Sequence, residues 1–523
     1  MTDNTEIIRQ FLSPEEPFGP VDAGEITDTK ALEIIFERDN KIFRTLRQRA
    51  SIIIGRKGSG KTSYLKSVCF DPNYTYVVSL KTSEALSRVI RSISLLTDTE
   101  VFCESVTDLW KTVIYIGLFG EIRHKLPITS RSKSLINDYL AKIGLRDGGT
   151  IDDILWKIAE IISERAKDKN HGILAEVIKV FDAVSFKLIL ETLEAELKRK
   201  NRRAVILLDS LDDFKLHIDV VADAIQGLLK FIGETNLPAA RIDVRFCLPA
   251  ELYHQFISLS TNPNKDFKRK VILHWTAAEL VSLATHRLIL FGKVHEDHPL
   301  SISYELKSID HGHSPKVLKK ILPTKVTCGL GVEEDPIAYI LRHTQLLPRH
   351  LLIILNSICN MSRKYPGTQS TKLSEEALRK GVSAVEATLV QEIFVAYKSV
   401  YPNAEAVCKA CIPELQHKFS IGDLERVFRR EGKKTMGSDE FASFKRMLIE
   451  MGIIGRVTND QDRYIQAQFE YTVPHQLVTS KDDVLCIHPL FTEIFAAKTT
   501  HDGRPVYPYG AQIEDSDYRG DDT

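Results

Sequence analysis

Short β-branched runs alternate along the chain with stretches whose apolar residues recur at helical spacing. Five runs read as buried strands: 51–54 (SIII), 75–80 (TYVVSL), 204–208 (AVILL), 242–248 (IDVRFCL) and 270–275 (KVILHW). Residues 64–68 follow the first run as a helix. From about 83 to 200 the pattern is mostly helical, with Trp110 and Trp156 as packing anchors and a linker around 127–134. That span is longer than one strand connection needs, so it reads as a helical insertion. Strands alternating with helices imply a parallel sheet. Upstream, Phe18-Gly19-Pro20 marks a turn, and Leu32, Ile35, Phe36, Ile42, Phe43 and Leu46 predict a helix over 29–49.

Beyond the fifth run the period becomes helical. Thr276 with Glu279 three residues on predicts a capped helix over 276–290. Pro348 opens a further helix, and 367–372 is a polar linker. Helices over 421–429 and 439–451, a Gly452–Gly455 junction, a polar turn over 458–463 and a strand over 466–473 form a winged-helix pattern. Residues 484–487 read as a strand running into a helix that starts at Pro489. The stretch 500–523 carries six acids against two bases and is expected to be disordered. The chain thus divides into 1–50, an N-terminal segment; 51–275, an α/β core with a helical insertion over 83–200; 276–372, a helical lid; 373–498, a winged-helix domain; and 499–523, an acidic tail.

The chemistry concentrates where the first strand meets its helix. Gly55-Arg56-Lys57-Gly58-Ser59-Gly60-Lys61-Thr62 fits G-x-x-x-x-G-K-[ST] at every fixed position. A loop that cradles phosphates points successive N–H groups inward, a conformation glycine adopts without penalty, and Gly55, Gly58 and Gly60 allow it. Ser59, Gly60 and Ser63 are counted with them as nucleotide-binding residues, and the N-terminus of the following helix adds its positive dipole end to the same place. Lys61 is assigned to the β- and γ-phosphates of ATP and Thr62 to Mg²⁺. The third run ends in Asp209, which puts a carboxylate at the sheet's C-terminal edge, where ligands of open α/β sheets bind. Asp209 is the expected Mg²⁺-associated acid, and Asp212 or Asp213 the group that orients the attacking water. The 29–49 helix then either covers the adenine or simply packs.

Totals narrow the picture. The 523 residues are too many for one core. The 70 basic and 70 acidic residues cancel, so there is no global electrostatic signature for nucleic acid or an anionic membrane. No apolar run approaches spanning length and no basic and apolar leader opens the chain, which reads as cytoplasmic with no membrane partner. Eight scattered cysteines suit a reducing compartment. Cys408 and Cys411 read as two cysteines on a helix face rather than a metal or redox pair. The basic run at 198–203 reads as the solvated end of a helix.

With these residues in view, the chain resembles the STAND class of P-loop NTPases, relatives of the AAA+ ATPases that include the NACHT and NB-ARC proteins. Asp209-Ser210-Leu211-Asp212-Asp213 matches the NACHT form of the second motif. Leu347-Pro348 sits where that class has a Gly-x-Pro lid motif touching adenine. Cys486-Ile487-His488-Pro489 resembles the Met-His-Asp segment, whose histidine contacts the ADP β-phosphate. Two departures stand out: Leu346 replaces the lid glycine, and the fourth strand ends without the usual polar sensor, for which Arg245 is a substitute. Arg349 resembles a sensor arginine, although a solvated cation in the first turn of a helix is the better reading; His488 reads as a nucleotide latch or as a packed histidine. The chain also looks like standalone bacterial ATPases associated with antiphage defence beside a separately encoded effector.

The resemblance implies a slow ATPase switch that closes over ADP and, once activated, oligomerises or engages an effector. The rival is an initiator-like DNA-binding ATPase using its winged helix, with Arg426, Arg429, Arg430, Lys433 and Lys434 as a basic cluster at the end of the first helix of that domain. A solvated helix end explains the same cluster. A phosphotransferase is a weaker third reading.

Overall fold

The computed structural model describes residues 2–26, 28–36, 50–70, 76–80, 83–94, 103–125, 128–145, 151–166, 179–209, 219–235, 240–260, 262–302, 314–367, 372–460, 464–472, 476–498 and 503–508. The chain divides into two units, one of residues 38–56 and 61–273, the other of residues 1–37, 57–60 and 274–523.

The first unit is built on a five-stranded sheet of β1 (Ile52–Gly55), β2 (Tyr76–Leu80), β3 (Ala204–Leu208), β4 (Ile242–Pro249) and β5 (Lys270–Ile272), in the order β2-β3-β4-β1-β5. Every pairing in it is parallel. β1, β3 and β4 are buried along their whole length; β1 and β3 read as unbroken apolar runs for that reason, whereas β4 also buries Asp243 and Arg245. β5 is an edge strand: Lys270 and Ile272 face outward and only Val271 is buried. It stops at Ile272 rather than at 275, although the Leu273 N–H still donates to Ile54 O at 2.7 Å.

The insertion is helical as the spacing predicts, with helices Ser83–Ser94, Cys103–Lys125, Ser130–Lys142, Ile151–Ala166 and Ala183–Arg199. The expected linker over 127–134 is shorter, because Thr129 accepts from the Ser132 N–H and caps a helix that begins at Ser130. Trp110 is a core anchor, fully buried with its indole N–H donated to Ala224 O at 2.7 Å. Trp156 is half-buried and carries the Arg88 guanidinium on its ring face, so it serves as a cation platform.

In the second unit the N-terminal segment packs by its backbone. The Phe18 N–H donates to Asn356 Oδ1, Asn356 Nδ2 donates to Gly19 O, and Arg287 reaches Phe18 O. Phe18 is fully buried, and Gly19 holds φ +73° where a Cβ would meet Leu12 at 2.6 Å. The helix expected over 29–49 runs only Thr29–Ile35; Phe36 is extended, and residues 37–49 lie outside the described residues. The capping box of Thr276 and Glu279 is present and starts a helix reaching Val294. The segment expected as a purely helical lid also holds a two-stranded ribbon, β6 (Val326–Thr327) with β7 (Glu333–Glu334). Helices Pro336–Arg342, Pro348–Ser362 and Glu375–Tyr397 follow.

Toward the C-terminus, β8 (Lys418–Ser420), β9 (Ile454–Asp460), β10 (Ile465–Gln468), β11 (Val484–Ile487) and β12 (Val506–Tyr507) form a second sheet, ordered β12-β10-β9-β11-β8. The first basic helix is longer than expected, continuing from Ile421 through a π turn at Phe428–Gly432 to Met436. The second starts at Phe441, after Glu440. Gly452 at φ +65° ends it, with the Ile453 N–H on Leu448 O and the Gly452 N–H on Ile449 O, the paired bonds of a Schellman motif. β9 runs on through Thr458–Asp460, which the sequence suggested as a turn, and β10 stops at Gln468, where a short 3₁₀ turn replaces the predicted strand to 473. The tail is not unstructured from 500: Val506–Tyr507 pairs in parallel with β10. Its apolar and aromatic residues, not its acids, decide that stretch.

Candidate functional site

The glycine loop begins where β1 ends. Gly58 and Gly60 sit at φ +83° and +87°, so both glycines meet a conformational requirement. In the sheet unit, Lys61 Nζ donates to Gly55 O at 2.9 Å and Arg56 O at 3.2 Å, and the lysine is buried. Thr62 Oγ1 donates to Asp209 Oδ1 at 3.3 Å across 147 residues of sequence. A threonine hydroxyl from the loop helix and a carboxylate at the end of β3 thus share one point at the C-terminal edge of the sheet. Two hard oxygen donors this close fit the ligand set of a magnesium ion.

Gly55, Lys61, Thr62 and Asp209 therefore fall in one unit, together with Ser63 on the same short helix, Lys61–Lys66. Asp212 and Asp213 lie outside the described residues. Arg245, the substitute sensor, is buried inside β4 opposite Leu207.

The other unit holds Gly58 and Ser59. The Arg349 N–H donates to Gly58 O at 3.3 Å, and a Cβ on Gly58 would lie 3.0 Å from Arg349 Cβ. The Arg349 guanidinium is engaged by Asp22, Nη2 to Oδ2 at 2.8 Å. Lys57 and Arg349 also line a cavity of about 490 Å³ with Thr388, Gln391 and Glu392 of the Glu375–Tyr397 helix. Trp275 donates its indole N–H to Ser59 O at 2.8 Å. Sequence reasoning missed Asp22, which has no motif around it, and placed Trp275 inside a strand.

Pro348 occupies the first turn of its helix as predicted. Two residues earlier, Leu346 adopts φ +49° while fully buried. The leucine therefore takes the left-handed backbone that a glycine adopts freely, at a cost of about 1–2 kcal/mol. Its neighbours hold it there: the Leu346 N–H donates to Thr344 Oγ1, and Gln345 Nε2 donates to Met451 O.

His488 caps the Pro489–Ile494 helix. Its Nδ1 accepts the Leu490 N–H at 3.1 Å, and its Nε2 lies 3.2 Å from Thr344 O. These partners fix the neutral ring with the proton on Nε2. The ring is fully buried among Phe469, Tyr471 and Phe491. Both ring nitrogens are thus engaged within the protein, and His488 joins the C-terminal helix to the turn before Pro348.

The five cations of the basic cluster are exposed along one continuous helix rather than gathered at its end. Arg426 pairs with Asp423 at 3.0 Å, Arg429 with Glu425 at 2.6 Å, Lys433 with Asp439 at 3.1 Å, and Arg430 with Glu414. Cys408 and Cys411 are buried thiols on one helix, and burial pushes both up, Cys411 to about 12. Among the described residues no cluster of metal-ligating side chains occurs, and no helix is long and apolar enough to cross a membrane.

No family model matches the chain, and no curated protein does. Among solved structures it is similar to the Aeropyrum pernix ORC2 protein in ADPNP–ADP complexes, at 12% identity and a TM-score of 0.36, over 90% of this chain and 93% of that chain. A likeness that distant carries nothing further about the site.

Proposed function

We propose that this chain is a P-loop ATPase that works as a nucleotide-controlled switch. The observation that carries the reading is the meeting of Thr62 and Asp209, 3.3 Å apart, beside a loop whose two positive-φ glycines precede Lys61. In this reading the loop amides and Lys61 bind the triphosphate of ATP. Thr62 and Asp209 hold Mg²⁺, which would neutralise charge developing between the β- and γ-phosphates. Asp212 or Asp213 orients the water. Arg349, and the turn at Leu346–Pro348, belong to the lid. His488 acts on that turn through Thr344 rather than at a phosphate, which revises the latch suggested by the sequence. The domain that contains the 421–436 helix and the β9–β10 ribbon is proposed to be a winged helix.

The STAND affinity, the antiphage setting and the separate effector rest on the sequence resemblance alone. The initiator-like reading shares the ATPase core; it stands second because four of its five cations are already paired with acids. The test is ATP binding and turnover in two variants. Lys61→Ala is expected to lose ATP affinity at least tenfold. Asp209→Asn is expected to keep ATP binding and lose Mg²⁺-dependent hydrolysis. Normal affinity in a folded Lys61→Ala protein would sink the assignment.

A further inference from the structure

We propose that Asp22 sets the preference of the nucleotide site between triphosphate and diphosphate, by occupying on Arg349 the place that a γ-phosphate takes. The inference rests on the ATPase reading above and names a regulating residue for that site.

Asp22, Arg349 and residues 57–60 of the glycine loop fall in one unit. The Arg349 backbone is fixed against the loop: its N–H donates to Gly58 O at 3.3 Å, and a Cβ on Gly58 would lie 3.0 Å from Arg349 Cβ. The guanidinium carries five N–H donors. Nη2 meets Asp22 Oδ2 at 2.8 Å, while Nε is buried with no hydrogen-bond partner. Asp22 holds the arginine by one oxygen, because its Oδ1 accepts the Gly24 N–H at 2.7 Å. The two side chains are 19% and 48% exposed, and an ion pair this open to water is weak. A phosphate group carries more charge and accepts two arginine N–H groups side by side. A terminal phosphate that reaches Arg349 therefore displaces the carboxylate, and a nucleotide one phosphate shorter leaves it in place.

The position of Asp22 is set by the fold. The Phe18 N–H meets Asn356 Oδ1 at 3.0 Å, and Asn356 lies on the same Pro348–Ser362 helix as Arg349, about two turns further on. The N-terminal segment thus touches that helix at two points, and the buried one positions the exposed one. Lys57 and Arg349 also border the cavity of about 490 Å³, which gives the guanidinium room to change partner.

The test measures, by calorimetry with Mg²⁺ on the full chain, the affinities for a non-hydrolysable ATP analogue and for ADP. Asp22→Asn removes the charge and keeps an acceptor for the Gly24 N–H. It is expected to bind the analogue about threefold tighter or more, because Arg349 is no longer occupied, and to bind ADP as the parent does. In an Arg349→Gln background the same change is expected to alter neither affinity. Glu392→Gln, which removes an acid from the wall of the same cavity, is expected to leave the ratio of the two affinities unchanged. An unchanged ratio in Asp22→Asn overturns the proposal, equal tightening of both nucleotides included, since that is the effect of overall charge. A gain that survives Arg349→Gln, or that Glu392→Gln reproduces, overturns it too. Asp22→Ser replaces Asp22→Asn if the latter does not fold, and failure of both to fold makes Asp22 structural and overturns the proposal. A parent chain that binds no analogue, or a folded Lys61→Ala protein that binds it normally, sinks the ATPase reading and this inference with it; binding by the parent, lost in Lys61→Ala, with an unchanged ratio in Asp22→Asn sinks the inference alone.

Discussion

At the residue scale, Glu386 is the group most exposed to a pH argument. It is 4% exposed, and burial, with the nearby Glu493 charge, pushes its carboxyl up to about 7 against the pull of Arg342. Its neighbour His343, 3.5 Å away, is held well below its usual range by burial and by Arg342. His343 donates from Nδ1 to Tyr339 O at 2.7 Å, so its Nε2 faces Glu386 as an acceptor. An unfolded glutamate titrates near pH 4.3. Between that pH and about 7 the folded chain holds a proton that the unfolded chain has lost, so stability falls as pH rises through this window and levels above it. Glu386→Gln is expected to remove the slope and to stabilise the protein at pH 8 by up to about 3 kcal/mol, read by urea unfolding at pH 5 and pH 8. None of this was legible in the sequence, which has no motif around Glu386. The glycine loop was legible, because its spacing encodes backbone conformation directly. Leu346 was legible only as a departure: its residue type argues against φ +49°, and the bonds from Thr344 and Gln345 that impose it are tertiary.

At the scale of elements, the strands of the first sheet were read to within a residue or two wherever both faces are buried, since burial on both sides leaves a mostly apolar, β-branched run, as in β1 and β3. Errors fell at strand ends. β5 and β10 were drawn too long because aromatic residues beyond their ends, Trp275 and Tyr471, pack against other elements instead of extending a ladder. Gly452 shows what a single junction decides. A Cβ there would lie 2.9 Å from both Gln345 Nε2 and the Tyr471 ring, at φ +65°. Gly452→Ala is expected to destabilise the protein by about 2 kcal/mol through strain and loss of the Gln345 contact, measurable as a lowered unfolding temperature. The 421–436 helix makes the opposite point. Its exposed ion pairs are each worth about 0–1 kcal/mol, so changing Arg429 and Lys433 to alanine is expected to leave stability nearly unchanged. Duplex affinity at 150 mM salt is expected to stay within about threefold in the same variant. A tenfold loss with a shallower salt dependence would return the initiator-like reading to first place.

At the scale of the whole molecule, the second unit takes residues from both ends of the described chain, and the sheet unit is contained between them. The sequence suggested successive domains, because apolar periodicity reports local elements and is silent about which distant segments share a core. Phe18 carries that lesson: it looked like part of a turn, yet it is fully buried, with its backbone held by Asn356 and Arg287. Phe18→Ala is expected to cost about 3–5 kcal/mol and to lower the unfolding temperature of the second unit, with ATP binding at low temperature retained. The interleaving also has a consequence in time. Domains fold as units during synthesis, as the chain emerges at about 5–20 residues per second. The sheet unit is complete once residue 273 has left the ribosome, whereas Phe18 must wait, exposed, for Asn356 and the helices around it. For many seconds a nascent chain of this protein therefore carries an unsheltered apolar N-terminal segment, the stretch on which a holding chaperone would act.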